Sequence, residues 1–150
     1  MYTKQEASLI KKKFWTSFGR YLQPVPNAEG ENINWLNYKT GIRDIFFRMD
    51  VDAASAQIAI EIKHTVNSLD NRYYEQLLAM RTMLENTLGE TWQWQPEVQD
   101  EFGAVLSRVY TTKPGVNIFK ESDWPAIITF LKPRIIALDE FWLQVKDVFS

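Results

Sequence analysis

The sequence predicts one α+β domain over residues 1–150, in which a mixed β-sheet is flanked by helices in the order αβββαββα. Some segments carry apolar residues at three-to-four spacing, which is typical of helices, and others alternate apolar and polar residues, as strands do. No internal repeat and no long linker divides the chain. A chain of 150 residues is also long enough to bury a core of its own.

The N-terminal segment predicts a helix followed by a strand. Thr3 and Glu6 have the spacing of a capping box, so the helix should begin there, and Pro24 should end it. After a polar loop, residues 33–39 are predicted to form the first strand, which turns at residues 40–41.

The clearest strand signal predicts a hairpin. Residues 44–51 alternate apolar and other side chains, residues 57–63 do the same, and residues 52–55 make a short connection between them. A register that is symmetric about the middle of this connection places Asp44 opposite Lys63.

The second half of the chain predicts another helix and a pair of strands. The helix should begin at Asn67 or Ser68 and end at Gly89, because apolar residues recur at helical spacing up to that glycine. Residues 91–95 and 104–110 are then predicted to add two strands to the same sheet.

The C-terminal segment predicts one or two helices. Ser122 or Asp123 can cap the helix start, and a proline follows in the first turn, where it is favoured. Apolar residues continue from there to Phe149. Pro133 lies inside this stretch and should break or kink it.

Composition excludes several kinds of chemistry. The chain has no cysteine, which excludes disulfides, thiolate nucleophiles and cysteine-bound zinc. Its single histidine, His64, excludes multi-histidine metal sites and is expected at the surface. The net charge of -2 gives no global attraction to nucleic acid. We find no pattern of a signal peptide or a membrane span, and we expect a cytoplasmic protein without membrane contact.

The predicted hairpin brings together one constellation that could carry chemistry. Glu61 and Lys63 share a strand face, and the register brings Asp44 to the same end of the sheet. Carboxylates are ligands that Mg²⁺ prefers, and a lysine can orient the water that attacks a phosphodiester. The same register also allows a purely structural interpretation, in which Asp44 pairs with Lys63 and Arg48 pairs with Glu61.

Three segments of the sequence are distinctive: FWTSFG at residues 14–19, WLNYKTGI at 35–42 and ALDEFW at 137–142. With them, nearly the whole chain resembles a bacterial family called domain of unknown function 4268. That family is similar to the PD-(D/E)xK nuclease superfamily, and the resemblance implies a restriction-endonuclease-like fold. Within this pattern Asp44 matches the first acidic metal ligand, Glu61 the second, and Lys63 the catalytic lysine.

Two functions follow from the sequence. The favoured interpretation is a degenerate or accessory domain that mediates interactions without catalysis, since Arg43 stands where the motif has proline and short motifs often match by chance. The alternative is a phosphodiesterase or nuclease that depends on Mg²⁺ and uses Asp44, Glu61 and Lys63. Nucleic acid and a protein partner are both candidate ligands, and a homodimer is a further candidate.

Overall fold

The computed structural model describes residues 2–64 and 72–149. Within these ranges an α+β fold combines four α-helices with a four-stranded sheet. The helices are α1 (Lys4–Leu22), α2 (Arg72–Ala79), α3 (Arg81–Leu88) and α4 (Trp124–Phe149). The strands are β1 (Ile45–Val51), β2 (Ser55–Lys63), β3 (Gln93–Gln99) and β4 (Val105–Pro114).

The sheet has the strand order β1-β2-β4-β3, and all of its pairings are antiparallel. The predicted mixed sheet is therefore wrong. The chain builds two antiparallel hairpins, β1 with β2 and β3 with β4, and joins them by placing β4 beside β2 in the antiparallel sense. No parallel pair is needed, because the helical connection between β2 and β3 returns the chain to the far edge of the sheet.

The start of α1 is confirmed. The Thr3 hydroxyl accepts a hydrogen bond from the Glu6 backbone N–H at 3.1 Å, as an N-cap should. The helix then buries Phe14, Phe18 and Leu22 along one face.

The strand predicted at residues 33–39 is wrong. A short 3₁₀ turn, Trp35–Asn37, occupies this stretch, and the Asn34 side chain accepts from the Leu36 N–H at 3.2 Å. The Trp35 side chain is buried, and its indole N–H donates to the Val25 carbonyl at 2.9 Å. Packing of one large side chain, rather than a strand ladder, explains the apolar pattern, and the described sheet has four strands instead of five.

The predicted hairpin and its register are confirmed. Arg48 lies opposite Ala59 and Phe46 opposite Glu61. The Lys63 N–H donates to the Asp44 carbonyl at 2.8 Å, which extends the same register to the end of the ladder. The period-two pattern of both strands therefore positions the candidate site as expected.

The single helix predicted up to Gly89 is interrupted. Its predicted caps, Asn67 and Ser68, lie outside the described residues. At Met80 the backbone leaves helical geometry, with φ −104° and ψ 16°, so α2 and α3 are separate helices. Gly89 ends α3 as predicted, in the left-handed conformation with φ 73°.

Of the break or kink predicted at Pro133, the break is wrong, because α4 runs through this residue as one helix. A proline inside a helix costs roughly 3 kcal/mol or more. The cost is offset by burial on both sides of Pro133, where Leu131 and Ile135 are fully buried. Tertiary packing therefore keeps a helix that local propensity would divide.

The described helices cover one face of the sheet. A row of apolar side chains crosses that face from β1 to β3 through Phe47, Ile60, Val109 and Trp94. Trp142 of α4 packs on the Phe47 end, with ring centroids 5.7 Å apart, while α2 packs on the Trp94 end. The opposite face, which we call the open face, carries Phe46, Arg48, Glu61, Lys63, Arg108 and Tyr110.

Candidate functional site

Glu61 occupies the middle of the open face and is held by an arginine. Arg48 Nε donates to Glu61 Oε1 at 3.1 Å, with side-chain exposures of 46% for Arg48 and 19% for Glu61. Arg108 lies directly opposite Glu61 on β4. The Arg108 side chain turns to β3 instead, where its Nε donates to Gln95 Oε1 at 2.7 Å. Of the two ion pairs that the structural interpretation required, the one between Arg48 and Glu61 is therefore present.

Lys63 emerges beside Glu61 at the end of β2 and is exposed. Its ammonium nitrogen lies 5.0 Å from the centre of the Phe46 ring, and the guanidinium carbon of Arg48 lies 4.8 Å from the same ring centre. A cation in this position is attracted to the ring face, by about 0.5–1 kcal/mol when exposed. Phe46 therefore holds both cations near Glu61.

Asp44 lies at the same end of the sheet, in the turn before β1, and is half-buried. Its carbonyl bonds the Lys63 N–H, so the backbones of the two residues are adjacent. Among the ion pairs of the described residues, none joins the side chains of Asp44 and Lys63. Asp44 and Lys63 are thus adjacent through their backbones, whereas the Glu61 side chain is paired with Arg48.

Asp44 and Glu61 are of the right chemical type to hold Mg²⁺, since both offer hard oxygen ligands. The described residues contain no group of three or more histidine, cysteine or acidic side chains arranged to hold a metal. One Glu61 oxygen already accepts from Arg48, so a metal at Glu61 would compete with the guanidinium. Arg48 would have to turn away before Glu61 could act as a free ligand.

A second polar contact beside this site involves His64. Its Nε2 lies 2.8 Å from Ser107 Oγ, and Ser107 is fully buried on β4. The Glu97 backbone N–H also donates to Ser107 Oγ, at 3.2 Å. His64 is therefore half-buried and bonded, not the surface residue that was predicted. The contact spans 43 positions, so no local pattern could have indicated it.

Sequence reasoning also missed a buried carboxylate on α4. Asp139 Oδ1 accepts from the Tyr38 hydroxyl at 2.5 Å, and Oδ2 accepts from the Ala28 N–H at 2.7 Å. Asp139 is only 5% exposed, although it sits on a helix that packs mainly apolar residues. Both bonds fasten the loop between α1 and β1 to α4.

The loop and α4 together enclose a cavity of about 290 Å³. Tyr38 and Asp139 line it, and Lys146 pairs with Glu29 at 3.2 Å across its rim. Lys146 and Glu29 neutralise each other, and the Asp139 carboxylate already accepts two hydrogen bonds from the loop. The cavity is therefore part of the loop attachment.

The Tyr38–Asp139 bond predicts alkaline instability. Burial first, and then the hydrogen bond to Asp139 and the charge of its carboxylate, raise the pKa of Tyr38 well above its usual value. The unfolded chain loses the proton of the Tyr38 hydroxyl near pH ~10, while the folded chain keeps it. The stability that Tyr38 contributes to the folded state is therefore complete below about pH 10 and declines above it. We expect Tyr38→Phe to show a shallower loss of unfolding free energy between about pH 8 and about pH 11, measured by urea denaturation.

The exposed Tyr21 provides a matched control. Tyr21→Phe should leave the alkaline slope of the wild-type protein unchanged, and Tyr74, whose pKa burial also raises, stays present in both variants. Equal slopes for Tyr38→Phe and the wild-type protein would contradict this role of the Tyr38–Asp139 bond.

No described helix is long and apolar enough to cross a membrane.

Comparisons with known proteins give the family. No curated protein and no solved structure matches the chain. A family model does match, over residues 10–146, and its description is Domain of unknown function (DUF4268). Since the match covers nearly the whole of the described fold, the chain belongs to this family of domains of unknown function.

Proposed function

We propose that this protein is a non-catalytic interaction domain with a nuclease-like fold of the PD-(D/E)xK type. The ion pair between Arg48 and Glu61, at 3.1 Å, carries the proposal. An acidic residue that must bind a metal is best left free of a competing cation, whereas Glu61 is neutralised by one. The residues of the nuclease motif then act as parts of a charged sheet surface.

Lys63 fits the same function. In a nuclease its ammonium group would face the attacking water or the phosphate, but here it lies over the Phe46 ring. Arg108 repeats the arrangement on β4, with its guanidinium carbon 4.3 Å from the Tyr110 ring centre. Cations stacked on aromatic rings keep their outer donors available, and arginine and tyrosine are enriched at protein interfaces.

The open face is therefore the surface that we assign to partner binding, and we propose a protein as the partner. Its charges are mixed, since Glu61 and Asp50 share it with Arg48, Lys63 and Arg108. A nucleic-acid surface requires a predominance of cations to replace the counterions of the phosphates. Mixed charges beside aromatic rings are more typical of a protein interface.

A magnesium-dependent nuclease is the second candidate. It is supported by the bond between the Lys63 N–H and the Asp44 carbonyl, which sets Asp44, Glu61 and Lys63 at one end of the sheet. In this function Asp44 and Glu61 would hold Mg²⁺, and Lys63 would orient the attacking water.

Cleavage assays on the purified full chain separate the two functions. We expect no hydrolysis of single- or double-stranded DNA or RNA with Mg²⁺ or Mn²⁺, because the Glu61 carboxylate is paired with Arg48 and the Lys63 ammonium group lies over the Phe46 ring. Glu61→Gln should lower the unfolding free energy by no more than about 1 kcal/mol, since the glutamine oxygen can still accept from Arg48 Nε and the half-exposed Arg48 remains solvated. Glu85→Gln, which breaks a comparable pair with Arg81, is the matched control for stability.

Metal-dependent cleavage that Lys63→Ala abolishes, with an unchanged melting temperature, would establish the nuclease and overturn the interaction domain. Lys12→Ala, at an exposed position of α1, should then retain the cleavage. Cleavage that survives in both lysine variants would indicate a contaminating nuclease, and the purified protein would again be assigned to the non-catalytic function.

A further inference from the structure

The two edges of the sheet differ in how they are protected. The outer strand β3 contains Pro96, and its register shifts between Gln95 and Val98, which marks a bulge. Glu97 within this bulge has a positive φ of 52°. Proline and bulges are features that prevent an edge strand from pairing with another chain. The edge at β3 is thus closed to further strands.

The other edge, the described strand β1, has none of these features. Its register with β2 is continuous from Ile45 to Val51, without a proline or a bulge. The Thr40 hydroxyl donates to the Ile45 carbonyl at 2.8 Å and so covers the first position only. A regular strand with an uncovered edge can accept a further strand.

The ladder determines which backbone groups of β1 point outward. Asp44 bonds Lys63 at one end of the hairpin, and the Asp52 N–H donates to the Ser55 carbonyl at the other. In an antiparallel ladder every second residue bonds its neighbour, so the even-numbered residues of β1 bond β2. The outward groups belong to Phe47, Met49 and Val51, and no hydrogen bond from the described residues reaches them.

We infer that two copies of this chain pair antiparallel through β1, about a twofold axis at Met49, to form a continuous eight-stranded sheet. In this register Met49 lies opposite Met49 of the second copy, and Phe47 lies opposite Val51. All three outward residues then exchange hydrogen bonds. A twofold strand pairing is self-complementary, as a symmetric dimer requires.

Charge on the open face selects this register. Arg48 falls opposite Asp50 of the second copy, and Asp50 opposite its Arg48, which gives two cross-strand ion pairs. Moving the axis to Arg48 would oppose two arginines, and moving it to Asp50 would oppose two aspartates. The axis at Met49 matches both charged residues of the strand and sets no like charges opposite each other.

Both charged side chains are available for this contact. Asp50 is exposed and forms no ion pair within the described parts of the chain. Arg48 uses only its Nε for Glu61, so its terminal amino groups are free to donate to a second carboxylate. Arg48 can therefore pair with Glu61 of its own chain and with Asp50 of the second copy at the same time.

Sedimentation equilibrium of the full chain over a wide concentration range tests the dimer. We expect a mass that rises from 17.6 kDa to twice that value. Arg48→Glu alone and Asp50→Lys alone should each weaken association by at least about tenfold, because each opposes like charges twice across the axis. An equal mixture of the two variants should restore association, since the mixed dimer again opposes unlike charges.

Two further variants distinguish pairing through β1 from a general effect of altered charge. Met49→Pro removes an outward N–H without touching the ladder to β2, so it should weaken association as well. Glu140→Lys changes charge by the same amount as Asp50→Lys at an exposed position of α4, and it should associate like the wild-type protein. Thermal melts confirm that each variant is folded. A monomeric wild-type protein, or a mixture that fails to associate, would overturn the inference.

Discussion

Replacing Trp142 by alanine is expected to lower the free energy of unfolding by about 3–5 kcal/mol. Trp142 is only 2% exposed and packs edge-on against Phe47 of β1 and in a stack with Phe149, at centroid distances of 5.7 and 5.2 Å. Its indole N–H also donates to the Thr40 carbonyl at 2.7 Å. The substitution removes contacts to the sheet, the loop and the end of α4 together. Urea denaturation monitored by circular dichroism measures the loss.

Trp142→Phe distinguishes the stability that comes from apolar packing from the stability that comes from the indole hydrogen bond. It keeps most of the apolar packing but leaves the Thr40 carbonyl without its donor, which costs about 1–3 kcal/mol when buried. We therefore expect the phenylalanine variant to lie between the wild-type protein and the alanine variant. Equal stability of the phenylalanine variant and the wild-type protein would show that the bond from the indole contributes nothing.

Asp139→Ala is expected to cost at least about 3 kcal/mol, because it removes two hydrogen bonds to a charged acceptor, each contributing roughly 1.5–3 kcal/mol. It leaves the Tyr38 hydroxyl and the Ala28 N–H without their partner. The same denaturation experiment measures the effect. We expect the loop between α1 and β1 to detach from α4, so the change should also raise amide exchange at Ala28.

Tyr38→Phe provides the partial control for this variant. It removes one of the two bonds to Asp139 and keeps the Ala28 bond, so its cost should be about half as large. Glu140→Ala, at the next and exposed position of α4, should change stability by no more than about 0.5 kcal/mol. An Asp139→Ala protein as stable as the Glu140→Ala protein would contradict the anchoring role.

Local features of the fold could be predicted from the sequence. The start of α1 depends on Thr3 and Glu6, which are three residues apart, and the end of α3 depends on the backbone freedom of Gly89. The hairpin register follows from alternation and a short turn, which together fix which residues oppose each other. These signals lie within a few residues of the structure that they specify.

Features that depend on distant contacts could not be predicted. Trp35 gives its segment a strand-like pattern, yet the side chain serves to pack a loop against the core. Pro133 is tolerated because Leu131 and Ile135, on either side of it, are buried in the folded protein. At the candidate site, alternation placed Glu61 and Lys63 on one face, but the choice of Arg48 as the partner of Glu61 depends on side-chain geometry that only the structure gives.

The attachment of α4 to the loop also has a consequence for the order in which the fold assembles. The bond from Ala28 to Asp139 joins residues 111 positions apart, and the bond from Trp142 to Thr40 spans 102. The β1–β2 hairpin closes over a few residues and can form as soon as it is synthesised. The loop that precedes β1, in contrast, stays without its anchor on the ribosome until α4 has emerged. During synthesis, therefore, β1 and its uncovered edge precede the helix that completes the core.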